Sequence, residues 1–539
     1  MRIAIEGCGH GELDTIFDTI RYIQVKHDIK IDLLLCCGDF QALRNEFDMQ
    51  HLHCPEKYRS IGTFHKYYSG EKQAPCLTIF IGGNHEATNY NRELYFGGWV
   101  APNIYYLGHA GVVKVNGLTI SGVSGIYKSH DYQMGHYEKH PYDKRAIVSS
   151  CHMRQHEIFK LSLIRKQIDF FMSHDWPNGV EKMGDLQRLL KIKGHFIQEV
   201  EEGNLGNPAT AELMKLLKPN YWFAAHLHIK YPAIWDHGDD VTTKFLALDK
   251  VIPQRDFLQV LEVEDKYKPP AGSPPIFEYD LEWLAILKVT DQFISTSREF
   301  VNHPEYNTSS PEYLALLEKK EQMINEIKDL FRTNEISLKI PLNFSANVPA
   351  HGNIFNAVQF QYQYPDYQFN PQTLDFLRMV QLESKMFKTE LAKTPLKVDV
   401  GMKVDGDIDI EVDLDAEVEE EEEESEEEQK ERTKAEENKG EQKSDSKPED
   451  TSGDSSNVDL QAPNEEPNPE EINQILNQVH ELLNMIRGMN ISDNEIQGLI
   501  VELSDLSEQD LLVKARKEEI QSAIQRASVA VSRVLSSNQ

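Results

Sequence analysis

Five short polar motifs interrupt the first 230 residues of the chain, and each follows a short apolar run. Runs such as 33–37 and 168–172 have the length and composition of buried strands. The motifs are Gly7-Cys8-Gly9-His10-Gly11, Gly38-Asp39-Phe40, Gly83-Asn84-His85-Glu86, Ser173-His174-Asp175 and Ala225-His226-Leu227-His228. Because sites in open α/β sheets form beyond the carboxyl ends of the strands, five segments far apart in sequence can meet at one place.

The alternation of apolar runs with helical or polar stretches predicts the α/β fold class, as a layered sandwich over residues 1–264. Two helices are predicted between strands, at 12–26 and 157–167. Asn116-Gly117 lies between two apolar runs and predicts a hairpin turn. The first half of the chain is therefore expected to form one structural unit.

The composition of the chain changes three times after this unit. Residues 265–395 are predicted to be an accessory C-terminal domain, entered through a stretch rich in Lys, Pro and Gly. Residues 396–468 are acidic and Ser-rich and are predicted to be a disordered linker. Residues 469–539 regain apolar residues at helical spacing, which predicts a short helical segment: a small bundle or a helix that binds a partner.

The net charge of −32 does not exclude a nucleic-acid partner, because the charge is concentrated in one segment. Residues 405–470 contain 28 acidic and only 6 basic residues. The bulk charge therefore describes this segment and not the surface of the folded unit. The acidic run is a solubilising spacer, or else it mimics nucleic acid or binds basic proteins.

The cysteines and the apolar runs indicate a protein that stays inside the cell. The 6 cysteines include an adjacent pair, Cys36 and Cys37, but no Cys-x-x-Cys motif, which favours a reducing compartment over a disulfide framework. No apolar run reaches about 18 residues, so no membrane span is expected. The first residues lack the long apolar stretch of a secretory signal.

The residue types in the five motifs favour a metal centre. Cys8 offers a thiolate, Asn84 a neutral carbonyl oxygen, and Asp39 two oxygens that can bridge two ions. The histidines of the motifs add imidazole nitrogens. Mixed N, O and S donors suit Zn(II) or Fe(II) better than Mg(II) or Ca(II), which prefer oxygen. Each motif alone is weak, but five in order at strand ends predict one site.

The motifs resemble the signature of the calcineurin-like metallophosphoesterases, usually D-x-H, GD, GNH, H and GHxH, with Cys8 in place of the first Asp. The strings Cys-Gly-Asp-Phe-Gln, Ser-His-Asp-Trp-Pro and Leu246-Ala247-Leu248-Asp249-Lys250 resemble the RNA lariat debranching enzymes within that superfamily. The resemblance covers roughly residues 1–260 and fades toward 390. It implies an αββα sandwich and a metal-dependent RNA phosphodiesterase.

The resemblance also implies roles for individual residues. One metal would be held by Cys8, His10, Asp39 and His228, and a second by Asp39, Asn84, His174 and His226. One or two divalent transition metals are implied, with Fe(II) and Zn(II) favoured and Mn(II) as an alternative. The family substrate is branched lariat RNA, whose 2′,5′-phosphodiester bond is hydrolysed at the branch point.

His85 matches no ligand position in the family pattern, and its ordinary pKa near neutrality suits a general acid for the departing 2′-oxygen. The alternative is that His85 only orients the phosphate by a hydrogen bond. Its catalytic role is therefore stated here as a hypothesis.

The stretch 124–156 is predicted to recognise RNA, because cations and aromatic residues interleave along it. The resemblance makes this the lariat-recognition loop of the family; the alternative is an ordinary solvated loop. The substrate-binding candidates are Tyr127, Lys128, Tyr132, Lys139, Lys144 and Arg145. The same stretch also contains His130, His136, His140, His152, Arg154 and His156.

Two other functions stay open at the level of sequence. The chain could be a different calcineurin-like phosphoesterase, or a non-catalytic scaffold that binds splicing or RNA-turnover proteins through the acidic segment or the last helices. The intact set of ligand residues argues against the scaffold. The resemblance implies the nucleus as the main location, with the cytoplasm as a second one.

Overall fold

The computed structural model describes residues 1–55, 58–269, 273–306, 310–352 and 370–387. The predictions for the acidic linker 396–468 and the helical segment 469–539 lie outside the described residues. Among the residues that the model describes, no helix is both long and apolar enough to pass through a lipid bilayer.

Thirteen strands in the described residues form two sheets. They are β1 (Arg2–Glu6), β2 (Leu33–Cys36), β3 (Leu77–Phe80), β4 (Gly98–Ala101), β5 (Ile104–Tyr106), β6 (Ala110–Val115), β7 (Leu118–Val123), β8 (Phe170–Ser173), β9 (Tyr221–Ala224), β10 (Tyr231–Asp236), β11 (Thr242–Ala247), β12 (Leu258–Glu262) and β13 (Phe277–Tyr279). The first sheet has the order β12-β1-β2-β3-β5-β4, and the second has the order β10-β11-β9-β8-β7-β6-β13.

The α-helices in the described residues lie between and after these strands. They are α1 (Leu13–His27), α2 (Glu46–Met49), α3 (Phe64–Tyr68), α4 (Thr88–Glu93), α5 (Ser129–Tyr132), α6 (Lys144–Ser149), α7 (Gln155–Ser162), α8 (Leu186–Ile192), α9 (Ile197–Glu202), α10 (Pro208–Leu217), α11 (Leu281–Thr290), α12 (Pro311–Thr333) and α13 (Pro371–Val380). Short 3-10 helices occur at Val180–Met183, Gly194–Phe196 and Asp291–Phe293.

Parallel strands occupy the middle of both sheets, so their carboxyl ends share an edge. β1, β2, β3 and β5 are parallel in the first sheet, and β7, β8, β9 and β11 are parallel in the second. The predicted hairpin joins β6 to β7, and Asn116 and Gly117 have the positive φ angles of 49° and 79° that such a tight turn requires.

Apolar side chains fill three layers. One cluster lies between the sheets and includes Ile5, Leu35 and Phe223. A second cluster packs α1 against the outer face of the first sheet, because Leu13, Ile16, Phe17 and Ile20 recur at helical spacing. A third cluster covers the second sheet with α7, α10, α11 and α12. The predicted αββα sandwich is therefore confirmed.

Many described residues after 276 pack onto the second sheet, whereas Phe344 and Val348 join the apolar cluster on the outer face of the first sheet. β13 extends that sheet by pairing with β6, and α11 is buried along most of its length. Buried Lys320 of α12 forms an ion pair with Glu282 and donates to Leu163 O at 3.1 Å. The boundary between the two domains near residue 264 stays a prediction.

Candidate metal centre

The five motifs lie where sequence analysis places them, directly after β1, β2, β3, β8 and β9. Four of the ligand candidates have positive φ angles, which are rare for residues other than glycine: His10 at 43°, Asp39 at 50°, His226 at 63° and His228 at 46°. Such backbone strain persists only where the surroundings enforce it, and it concentrates at functional sites. The tight bends turn these side chains inward.

Cys8, His10, Asp39 and His228 form one group, in which one ligand atom from each residue lies within 4.8 Å of the others. His10 Nε2 is 3.3 Å from His228 Nε2 and 3.6 Å from Asp39 Oδ2. The backbone N–H of His226 donates to Cys8 Sγ at 3.1 Å, which links this group to a residue expected at the second metal. These are the four residues expected to hold the first metal.

Asn84, His174 and His226 gather on the other side of Asp39. His174 Nε2 is 3.3 Å from Asp39 Oδ1 and 3.1 Å from Asn84 Oδ1. The rings of His174 and His226 are 5.0 Å apart. One oxygen of Asp39 thus faces His10 and the other faces His174, which is the arrangement that a bridging carboxylate needs.

Burial and neighbouring charges both shift the pKa values of the site residues. Burial alone would raise the pKa of Asp39, but nearby His174 and His85 hold it well below its ordinary value. Burial lowers the pKa of His10 to about 3 and that of His226 well below its ordinary value, so both rings are neutral at pH 7. Neutral imidazoles and an ionised carboxylate are the forms that bind cations.

Cys8 and His174 carry protons in the absence of a cation. Burial raises the pKa of the Cys8 thiol well above its ordinary value. Asp39 raises the pKa of His174 to about 9, although burial opposes this. His174 Nδ1 donates to Cys37 O at 2.8 Å, and this bond turns Nε2 toward Asp39. Binding of a cation at these residues must therefore release protons.

Two glycines are required by close packing of the ligands. A Cβ atom added to Gly83 would lie 2.2 Å from Asp39 Oδ1, and one added to Gly38 would lie 2.3 Å from His174 Nδ1. Neither contact is tolerable, so the motif glycines allow the loops to approach the ligands. This explains why a glycine comes directly before Asp39 and directly before Asn84 in the motifs.

Glu86 is the last residue of the third motif, and the sequence predicts no role for it. In the structure it is a positioning residue. Its carboxylate accepts hydrogen bonds from the backbone N–H groups of Phe40 (2.8 Å), Gln41 (2.9 Å) and Gly83 (2.9 Å). It therefore joins the loop of Asp39 to the loop of Asn84. Burial raises its pKa to about 7. An acidic residue just after Asn-His is the only signal for it in the sequence.

His85 lies at the edge of the ligand group and is held from two sides. Its backbone N–H donates to Asp39 Oδ1 at 2.9 Å, and its Nδ1 is 2.7 Å from the carbonyl oxygen of His53. Because a carbonyl only accepts, Nδ1 carries a proton. His85 Nε2 faces the Asn84 side-chain amide at 3.2 Å, and the His85 and His10 rings are 5.7 Å apart.

The six substrate-binding candidates of the 124–156 loop differ in their exposure to solvent. Lys139, Lys144 and Arg145 are exposed, whereas Tyr127, Lys128 and Tyr132 are half-buried. The rings of Tyr127 and Tyr132 are 5.1 Å apart and pack against the apolar cluster over the second sheet. The contacts of these six residues with RNA stay predictions.

Four other basic residues that the sequence places in this loop are buried: His136, His152, Arg154 and His156. Arg154 donates to Glu138 Oε1 at 2.5 Å and to the carbonyl oxygens of Ser149 and His152. The loop folds around these groups.

A second group of ligand-type atoms lies in the same loop, at His130, Asp131 and His152. His152 Nδ1 is 2.7 Å from Asp131 Oδ2, and the Tyr137 hydroxyl donates to Asp131 Oδ1 at 3.2 Å. The carboxylate thus has partners within the loop, and the group joins α5 to the segment before α7.

Comparison with known proteins matches both halves of the described fold. The sequence profile of the calcineurin-like phosphoesterases matches residues 1–230, and that of the C-terminal domain of lariat debranching enzyme matches residues 240–385. The chain is 47% identical over 403 residues to lariat debranching enzyme A of Xenopus laevis, covering 73% of each chain. It is 47% identical over 384 residues to lariat debranching enzyme of Homo sapiens, covering 70% of this chain and 68% of that one.

A plant relative has a similar degree of identity. Lariat debranching enzyme of Arabidopsis thaliana is 44% identical over 388 residues, covering 71% of this chain and 86% of that one. Similarity thus extends across the sandwich and the described residues that follow it.

Proposed function

Because this chain belongs to the lariat debranching enzyme family, we propose that it hydrolyses the 2′,5′-phosphodiester bond at the branch point of excised intron lariat RNA. The product is a linear intron that can be degraded. The observation that carries this proposal is the meeting of the five motifs around Asp39, within a chain that matches the family over both the sandwich and the C-terminal domain.

The ligand residues fit a divalent transition metal. They combine thiol, imidazole, carboxylate and amide donors at distances that small shifts would bring onto one or two ions. Cys8, His10, Asp39 and His228 would hold one ion, and Asp39, Asn84, His174 and His226 the other. Sulfur and nitrogen donors favour Fe(II) and Zn(II), with Mn(II) as an alternative for the position richer in oxygen.

A divalent ion at this place supplies Lewis-acid chemistry, because it makes water a nucleophile near neutral pH and offsets charge on phosphoryl oxygens. The residues of the chain set the geometry for that chemistry. Asp39 is ionised and fixed by the His85 backbone, and His174 is oriented by Cys37 O. Glu86 holds the loops of Asp39 and Asn84 at a constant separation.

His85 is the proposed general acid. The His53 carbonyl holds the proton of the neutral ring on Nδ1, and Nε2 accepts from the Asn84 side-chain amide. In the proposed role Nε2 takes up a second proton and passes it to the leaving 2′-oxygen. Without that proton a ribose alkoxide must depart, which is slow near neutral pH. The alternative, that His85 only orients the phosphate, predicts a smaller loss of activity on substitution.

Exposed Lys139, Lys144 and Arg145 are proposed to contact RNA phosphates, and Tyr127, Lys128 and Tyr132 to contact the substrate at the inner side of the loop. Acidic residues in the same loop dilute the positive charge. Binding is therefore expected to depend only moderately on salt.

A cleavage assay separates this function from that of another calcineurin-like phosphoesterase or a non-catalytic scaffold. Purified full-length protein is incubated with a synthetic branched RNA and with a linear RNA of the same sequence, before and after chelation and metal add-back. We expect cleavage of the 2′,5′ bond only, abolished by chelation and restored by metal. Equal cleavage of the linear RNA contradicts the debranching function, and no cleavage in any metal favours the scaffold.

The nucleus is the proposed main location, with the cytoplasm as a second one, because excised introns arise in the nucleus. Splicing or RNA-turnover proteins are proposed to bind through the acidic segment or the last helices, which lie outside the described residues. Imaging of the tagged full chain beside a version ending at residue 395 tests both points, with co-purified proteins identified from each. Identical location and identical partners would contradict a role for the C-terminal segments.

A further inference from the structure

A cluster of four rings joins the 124–156 loop to α2 and the segment that follows it. We call it the ring cluster: Phe47, His51, His140 and Tyr142. The ring of His51 is 4.7 Å from that of Phe47, 5.9 Å from that of His140 and 5.5 Å from that of Tyr142. The rings of His140 and Tyr142 are 6.0 Å apart. Phe47 and His51 are buried and form the base, while His140 and Tyr142 are partly exposed above them.

The ring cluster is connected to the metal centre through the residues that follow His51, and Tyr142 lines one cavity with Gly83 and Glu86. Leu52 forms a β-bridge with Ala87, just after the Asn84 motif. His53 follows, and its ring is 5.9 Å from that of His85. A substrate whose leaving oxygen lies at His85 therefore places its neighbouring nucleotides within reach of this wall.

The rings are suited to bases and not to phosphates. Burial, with a smaller effect of His51, lowers the pKa of His140 to about 4. Burial also lowers the pKa of His51. Both imidazoles are therefore neutral at pH 7 and exert little attraction on phosphate. Neutral aromatic faces instead stack on unpaired bases.

Charged side chains flank the partly exposed rings. Lys139 precedes His140, and Lys144 and Arg145 follow Tyr142, all three exposed to solvent. Cations beside aromatic faces are the combination that holds single-stranded nucleic acid, because the backbone and the bases are contacted separately. A protein partner would not need this alternation.

We propose that His140 and Tyr142, packed against Phe47 and His51, form a site for one unpaired base of the RNA beside the branch point. The base stacks on Tyr142 and lies across His140, because the planes of these two rings meet at 79°. The inference rests on the proposed function and assigns part of its substrate specificity. Stacking on these rings contributes affinity that does not depend on salt, whereas the flanking cations contribute affinity that does.

The test combines ring variants with branched RNAs in which each nucleotide around the branch is replaced in turn by an abasic one. For Tyr142→Leu we expect KM to rise about tenfold on intact RNA with little change in kcat, since one stacked base contributes about that factor. One particular abasic position should raise KM for the unaltered protein and have no further effect on the variant. Tyr142→Phe, which keeps the ring, should retain the abasic response that Tyr142→Leu loses.

His140→Ala provides a second ring variant, because His140 is partly exposed and less important for packing. For this variant, the abasic nucleotide at the same position should no longer raise KM. Lys144→Ala is the matched control: it should lower the slope of log KM against log salt by about 0.7 and keep the abasic response. An abasic response that is the same in all the variants would overturn the stacking site, as would ring variants with unchanged KM.

The two proposals fail in different ways. If the unaltered protein does not cleave branched RNA, the debranching function fails. If cleavage is normal but no abasic position is coupled to Tyr142 or His140, only the stacking site fails.

Discussion

The five ligand motifs and the 124–156 loop are both rich in histidine, yet they use it differently. In the motifs, histidines converge on Asp39 with their donor atoms 3.3–3.6 Å from its oxygens or from one another. In the loop, His152 pairs with Asp131, and His136 pairs with Glu157 at 3.1 Å. A histidine in a polar loop thus indicates a ligand only where strand ends bring several together.

The comparison is most strongly tested at His85, which belongs to a motif but is not a ligand candidate. His85→Ala should lower kcat about a thousandfold, because general acid catalysis is lost, while the metal content stays unchanged. The measurements are single-turnover cleavage of branched RNA and elemental analysis. His27→Ala, at the exposed end of α1, is the control and should cleave normally. Loss of metal together with activity would contradict the assignment.

A smaller effect is expected when the ligands are displaced and not removed. Gly83→Ala places a methyl group against Asp39 Oδ1 and His174. We expect about a hundredfold lower kcat/KM, since a shift of about 1 Å in a reacting group costs that much. Gly194→Ala, where nothing lies within 4 Å of an added Cβ, is the matched control. Normal activity of Gly83→Ala would mean that the loops are not as closely packed as described.

A variant of Glu86 tests whether metal binding depends on the hydrogen bonds that join the loop of Asp39 to the loop of Asn84. Glu86→Gln replaces one accepting oxygen by an NH2 group that faces backbone N–H donors. Metal affinity should fall about tenfold, as for other groups that orient ligands. Competition with a chelator of known affinity measures this, with exposed Glu71→Gln as the control. An unchanged affinity would remove Glu86 from the site.

The smallest effect on cleavage is expected in the loop. Lys139→Ala should raise KM about two- to threefold at low salt and not at high salt, because one exposed charge is lost and salt screens it. Its thermal unfolding should be unchanged. Arg154→Ala is the contrast, since it leaves Glu138 buried without its partner and should lower the free energy of unfolding by about 3 kcal/mol. Equal effects of both changes would contradict the division of the loop cations.

Sequence patterns predict the sandwich and the ligand set because both depend on local order along the chain. An apolar run fixes a strand, and the residue that follows it lies at the sheet edge. The turn at Asn116-Gly117 is predicted for the same reason: only its own residues determine its φ angles. The positive φ angles of His10 and Asp39 lie in the short loops that follow β1 and β2, so their place in the fold follows from the predicted strands.

Other features depend on partners that are distant in sequence and were not predicted. β4 and β5 were not predicted, because their apolar runs, 99–101 and 104–106, are only three residues long each. The contact of His53 O with His85 joins two segments that share no pattern. Arg154 looks like a surface cation in sequence, because nothing local shows that Glu138 and three carbonyl oxygens will surround it.

The central claim is that transition metal binds at the strand-end motifs through Asp39 and not in the loop. Elemental analysis of purified Asp39→Ala and His130→Ala proteins, beside the unaltered chain, tests it directly. We predict that Asp39→Ala loses the bound metal and that His130→Ala retains all of it. Full metal content in Asp39→Ala would contradict the account.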